Sequence, residues 1–146
     1  MESGCRLDMS GWENKSRAIQ IAIAKAVVAA VDFGLDTLYR ETAKNVMGIR
    51  HDEGTKSPYP GVLPVTKISG KLGISITEKR FDAVSGYVYA DETKANYAKY
   101  VHDGTRKMRP RPFLRAAVQS KKEAIIRRMR NLILIEVRRA GGGMGI

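Results

Sequence analysis

The feature that most constrains this chain is one uninterrupted apolar periodicity near its N-terminus. From about Gly11 to Met47, the residues Ile19, Ile23, Val27, Ala30, Val31, Leu35, Leu38, Thr42 and Val46 recur at steps of three and four, the spacing of one face of an α-helix. Ser10 with Glu13 three residues on has the form of a capping box. Gly34 interrupts the pattern at a position suited to a bend, and Gly48 is a fitting stop. Unbroken, such a helix runs roughly 55 Å at about 1.5 Å per residue. A compact chain of 146 residues is only about 40 Å across. The helix therefore bends or projects beyond its own domain, and a projecting apolar helix has to be covered by another subunit.

Downstream, residues 49–67 are turn-rich, with Pro58, Pro60 and Pro64. A connection of that length is either functional or mobile. Leu72, Ile74 and Ile76 alternate with Gly73, Ser75 and Thr77, and Val84, Gly86, Val88 and Ala90 alternate with Ser85, Tyr87 and Tyr89. Two strands joined through Glu78–Ala83 as a hairpin are the natural reading. Asp91 to Ala95 forms a turn or short helix, and Tyr97–Val101 a short strand or turn. From Phe113 to about Arg139, Phe113, Ala117, Val118, Ile125, Met129, Leu132, Ile133 and Val137 mark a second amphipathic helix. The N-terminal residues 1–10 and the glycine-rich tail 140–146 are expected to be flexible. No repeat or second boundary appears. The expected fold is a single α+β domain over 1–146, its long N-terminal and C-terminal helices packed on a small, mainly antiparallel sheet. Such a sheet has open edges that invite pairing with a neighbouring subunit.

Charge narrows the partners. The formal net charge is +11 and the distribution is uneven. Residues 1–60 carry eight Lys/Arg against eight Asp/Glu, residues 61–110 nine against five, and residues 111–146 nine against two. The excess is densest at Arg106, Lys107, Arg109 and Arg111, and again at Arg127, Arg128 and Arg130. Each run taken alone reads as a solvated face. Together they call for an acidic partner: nucleic acid, an anionic membrane or an acidic protein surface. No helix-turn-helix spacing, zinc finger or aromatic RNA-binding strand accompanies them. No apolar run approaches the roughly 20 residues of a membrane span. The first residues lack the grading of a signal peptide, so no membrane partner and a cytosolic protein are expected.

A search for chemistry finds no catalytic set. Cys5 is the single cysteine, which excludes an internal disulfide and a cysteine zinc site. His102 beside Asp103 reads as a surface histidine. His51, Asp52 and Glu53 read as a solvated loop rather than a metal site. Gly70-Lys71 lacks the spacing of a phosphate loop. Neither an enzyme nor a cofactor is expected.

The unusual stretch is Tyr97 to Ala117. An aromatic turn with Tyr97 and Tyr100 leads to the Asp103-Gly104-Thr105 bend, then a basic loop, then Pro112-Phe113 opening a helix. Gly104 permits a positive φ, Pro112 suits a helix start, and Phe113 would anchor that start in the core. As residues alone, this is a well-built loop-to-helix junction.

The same residues resemble a known family. Tyr97, Tyr100, Val101, Asp103, Gly104, Thr105, Arg106, Lys107 and Met108, followed by Pro112, Phe113, Leu114 and Ala117, follow the C-terminal pattern of the head–tail joining and tail-completion (neck) proteins of long-tailed bacteriophages. A second element, Pro64-Val65-Thr66 through Gly70-Lys71-Leu72 to Ser75-Ile76, resembles the family's approach to its first strand, after a helix ending in Ala43-Lys44. Ser69 stands where the family has Thr, Asp103 where it has Glu, and the 49–63 loop is long. The order of elements matches over about residues 15–137.

The resemblance implies a structural virion protein of the neck or tail end, either a head–tail connector or a tail-terminator-like protein. It implies a homo-oligomeric ring of sixfold or twelvefold symmetry, assembled in the host cytoplasm. Its implied partners are the phage connector or head-closure proteins and the tail-tube protein, with non-specific DNA contact in the lumen. Six copies would carry roughly +66, six times +11, a self-repulsion that acidic neighbours or DNA must offset. Leu132 and Leu134, within the apolar run Leu132–Ile135, and Ile21 and Val28 on the first helix exceed what one core covers. They are the expected interface residues. The reading from another class is a small basic nucleic-acid-binding protein using the Arg106–Arg111 and Arg127–Arg130 clusters.

Overall fold

The structure is a computed structural model that describes residue 8 and residues 10–50, 63–65 and 69–141. Six elements follow in order: α1 (Ser10–Val46), α2 (Lys71–Ser75), β1 (Ile76–Arg80), β2 (Gly86–Ala90), α3 (Ala98–Asp103) and α4 (Phe113–Ala140). Helix α1 is 37 residues long, as its periodicity demands. Its start differs from the expected capping box: Ser10 already lies in the helix, and its N–H donates to Asp8 Oδ1 at 3.0 Å. The helix also continues through Gly34.

Gly34 has a different use. A Cβ there would come within 3.3 Å of Ile125 Cγ2 and 3.8 Å of Met129 Sδ. Ala26 and Ala30, two turns and one turn earlier, are fully buried. Small side chains at this spacing let two helix backbones approach closely. Three contacts fix the direction of the pair. Gly34 meets Ile125 and Met129, the Lys121 ammonium lies 3.8 Å from Glu41 Oε2, and Asn45 Nδ2 donates to Phe113 O at 3.1 Å. Partner numbers fall as α1 numbers rise, so α1 and α4 run antiparallel. By that register Ala140 falls level with about Ile21, and the first turns of α1 extend roughly 15 Å past the end of α4.

β1 and β2 form a two-stranded antiparallel sheet with Ile76 opposite Ala90 and Arg80 opposite Gly86. It rests on α1, where a Cβ on Gly86 would lie 2.6 Å from Leu35 Cδ1. Helix α4 makes its extensive contact with α1. The α+β architecture is therefore as expected, with α1 as its middle layer between hairpin and α4. Val46, Val65, Leu72, Ile76, Ala95, Ala98 and Phe113 form the core at the C-terminal end of α1. Gly48 seals that end: its N–H donates to Val65 O at 2.9 Å, while Val65 N–H returns to Asn45 O at 2.7 Å.

Three local expectations are corrected. Residues 71–75 are a helical turn instead of a strand. Leu72 and Ile76, four apart, are both buried, whereas Ile74 is 67% exposed, which is helical rather than alternating spacing. The first strand runs on through Arg80 and the second begins at Gly86, so residues 81–85, Val84 among them, make the hairpin connection in place of Glu78–Ala83. Within Tyr97–Val101 only Tyr97 lies in a turn, since Ala98–Asp103 is helical. Of the expected flexible ends, Ser10 and Ala140 are helical; the rest of 1–10 apart from Asp8, most of the 49–67 loop and the tail beyond Gly141 lie outside the described residues.

Candidate assembly surface

The junction between α3 and α4 is built as its sequence proposes. Gly104 closes α3, donating its N–H to Tyr100 O at 2.8 Å, and takes φ +79°. A Cβ at this position would sit 2.8 Å from Pro110 N and 3.0 Å from Met108 O. Thr105 and Met108 exchange backbone hydrogen bonds of 2.9 and 3.3 Å, so the basic loop is a tight turn. Arg111 N–H then donates to Val101 O at 2.9 Å, Pro112 precedes the helix, and Phe113 is 1% exposed. Tyr97 and Tyr100 face outward, Tyr100 being 58% exposed.

His102 has a larger part than the surface role its sequence context gave it. Its ring packs edge-on against Phe113, with centroids 5.2 Å apart. Nδ1 faces Asp103 Oδ1 at 2.8 Å, and Nε2 accepts the Arg115 N–H at 3.4 Å. That amide is an otherwise open donor in the first turn of α4. The contact with His102 holds the Asp103 carboxyl below its usual range, through the hydrogen bond first and the nearby positive charges after it. Contacts of this kind depend on tertiary placement and leave no sequence signal.

The expected basic patch is divided. Arg111 is buried, and desolvation lowers its guanidinium from the ordinary arginine value, so it leaves the surface patch. Arg106, Lys107 and Arg109 are exposed on the turn, and Arg127, Arg128 and Arg130 are exposed on α4. None of these six has an ion pair among the described residues. About 15 residues of helix, roughly 22 Å, separate the two groups, so they are two surfaces.

Leu132 is half-buried on the side of α4 that meets α1. Leu134 lies nine residues beyond the buried Ile125, about half a circle round at about 100° per residue, and is 45% exposed. Arg130 and Arg138 stand one turn on either side of it. On α1, Ile21 and Val28 are also exposed, followed one and two turns after Val28 by Asp32 and Asp36. This stripe points away from the Gly34 side. Asp32, Leu35 and Asp36 line a groove with Glu78 and Arg80 of β1. Arg80 staples the hairpin to α1: its guanidinium pairs with Asp32 and donates to Ala83 O at 2.7 Å, Asp82 O at 3.1 Å and Val28 O at 3.3 Å. Nothing in the sequence marked Arg80.

Contrary to the sequence expectation, α1 is long and apolar enough to cross a membrane. It contains an 18-residue window of mean hydropathy 1.8, only 17% buried. The rest of the fold argues against a bilayer around it. Helix α4 runs alongside with Arg127, Arg128 and Arg130 outward, and each arginine costs about 2.5–3.5 kcal/mol at the membrane centre. Among the described residues, no group of His, Cys, Asp and Glu side chains converges as a metal site.

Comparison with known protein families, with curated proteins and with solved structures finds no match.

Proposed function

We propose that this chain is a structural subunit of a bacteriophage neck or tail end, of the tail-completion or terminator type, which assembles into a ring joining the tail to the DNA-filled head. The observation that carries the reading is the Tyr97–Phe113 segment. Its family-like residues divide between two tasks, Gly104 and Phe113 fixing α4 on the core while Tyr97, Tyr100 and the basic turn face outward. The exposed apolar residues of both long helices support assembly. Among the described residues only eleven hydrophobic side chains are buried, a thin core for a chain of this size. No catalytic step is assigned to it.

Sedimentation of the full chain, alone and with connector or tail-tube protein, tests the reading. Ring-sized species are expected, and a strictly monomeric protein even inside the virion would overturn it. The exposed arginines of α4 favour a second reading, nucleic-acid binding. That reading requires tight binding of free DNA or RNA by a monomer or dimer, weakening steeply with salt.

A further inference from the structure

We infer that the subunits associate head-to-tail, the outward face of α4 on one copy docking on the hairpin-side stripe of α1 on a second copy. The inference rests on the ring reading and specifies its contact.

Each face sets exposed apolar residues beside charged ones, arginines on α4 and carboxylates, two of them already paired, on the α1 stripe. On α4, Leu134 sits between Arg130 and Arg138, with Arg127 two turns before it. An occupant that covers Leu134 therefore also covers guanidinium groups, and these have no ion pair among the described residues. Buried charge of that kind needs an opposite charge in the partner. A two-fold contact of α4 with its own copy would set arginines against arginines, so an isologous α4 interface is disfavoured. The occupant must offer apolar surface beside carboxylates.

The chain offers that combination on α1. Val28 is 38% exposed and Ile21 more so. Asp32 and Asp36 follow on the same stripe, and Glu78 stands across the groove. Arg80 and Arg40 already contact Asp32 and Asp36. The Asp36 pair is an exposed one within a single helix, the weak kind that a partner readily replaces, and Glu78 has no ion pair among the described residues. Hairpin, α1 and α4 are successive layers, so the stripe and the outward face of α4 are different surfaces of one subunit. Their association is heterologous, the kind that closes into a ring or propagates.

Charge reversal tests the pairing in the full chain. One variant carries Arg127→Glu and Arg130→Glu, a second carries Asp36→Lys and Glu78→Lys, and a third carries all four. Thermal melts confirm that each is folded. Each single-face variant is expected to raise the half-assembly concentration about tenfold or more, because like charges then meet. The four-fold variant is expected to recover most of the loss, a coupling that independent surface effects do not produce. A parent that assembles while the Asp36/Glu78 variant assembles equally well overturns the pairing and leaves the ring reading standing. Single-face losses without recovery in the four-fold variant overturn the pairing too. A parent that never assembles, alone or with tail proteins, overturns both.

Discussion

Asn45 Nδ2 donates to the carbonyl oxygen of Phe113 at 3.1 Å, across 68 positions of sequence. The last turn of α1 is thereby tied to the first residue of α4. This end of the molecule is the fixed point from which both long helices run. Phe113 lies inside the core cluster, and its ring packs against His102, which meets the Arg115 amide in the first turn of α4.

Phe113→Ala is therefore expected to cost about 3–5 kcal/mol, the range for deleting a core aromatic. Asn45→Ala should cost about 1 kcal/mol, the net value of one hydrogen bond. Urea unfolding followed by circular dichroism measures both. A Phe113→Ala protein as stable as its parent would show that the junction does not anchor α4.

Gly34 sets how closely α1 and α4 approach. Valine at this position adds methyl groups beyond a Cβ that already comes within 3.3 Å of Ile125 Cγ2. Gly34→Val should destabilise by about 1–3 kcal/mol through overpacking, with a lower thermal midpoint. Combining it with Ile125→Ala should restore part of the loss, since the second change makes the missing space.

The long helices were legible because apolar residues at three- and four-residue steps have few other uses over 37 positions. Short elements were not. Leu72, Ile74 and Ile76 alternate with small residues and mimic a strand. Gly70 at φ +77° instead starts a helical turn, in which Ile74 N–H reaches back to Gly70 O at 3.2 Å. In the candidate assembly surface, Phe113 and Gly104 stood out because their residue types are demanded locally. Burial of Arg111 and the Arg80 staple depend on which distant segments meet them, and composition carries no trace of that. The basic residues read as one excess separate into two surfaces because a long stretch of α4, a 28-residue helix, lies between them.

Acid should loosen the turns around the hairpin. Asp82 Oδ1 accepts the Val84 N–H at 2.8 Å, and Asp91 Oδ1 accepts the Thr93 hydroxyl at 2.7 Å and its N–H at 3.0 Å. These hydrogen bonds hold both carboxyls below the usual aspartate range. A carboxyl depressed in the folded state favours folding at neutral pH, and that contribution is lost as pH falls below about 4 through the folded value. Thermal midpoints should drop across that interval. The double variant Asp82→Asn and Asp91→Asn should start lower at pH 7 and fall less steeply. An unchanged slope would remove these turns from the acid response.

Leu134→Glu separates folding from assembly. Arg130 and Arg138 lie four residues before and after position 134, so a glutamate there gains two favourable pairs along α4. Such pairs are worth about 0.2–0.5 kcal/mol each. Leu134 is already 45% exposed and little burial within the subunit is lost, so the thermal midpoint should stay within a few degrees of the parent's. Association should weaken for two reasons. The apolar contact disappears, and a carboxylate now meets the carboxylates of the α1 stripe on the next copy. Leu134→Lys removes the same contact but keeps the sign of the face, so on charge grounds it should weaken assembly less than Leu134→Glu. Sedimentation of both variants with their tail partners, beside thermal melts, reads the order directly. Equal loss in the two would assign the effect to the apolar contact alone, and normal assembly of Leu134→Glu would remove this face of α4 from the interface.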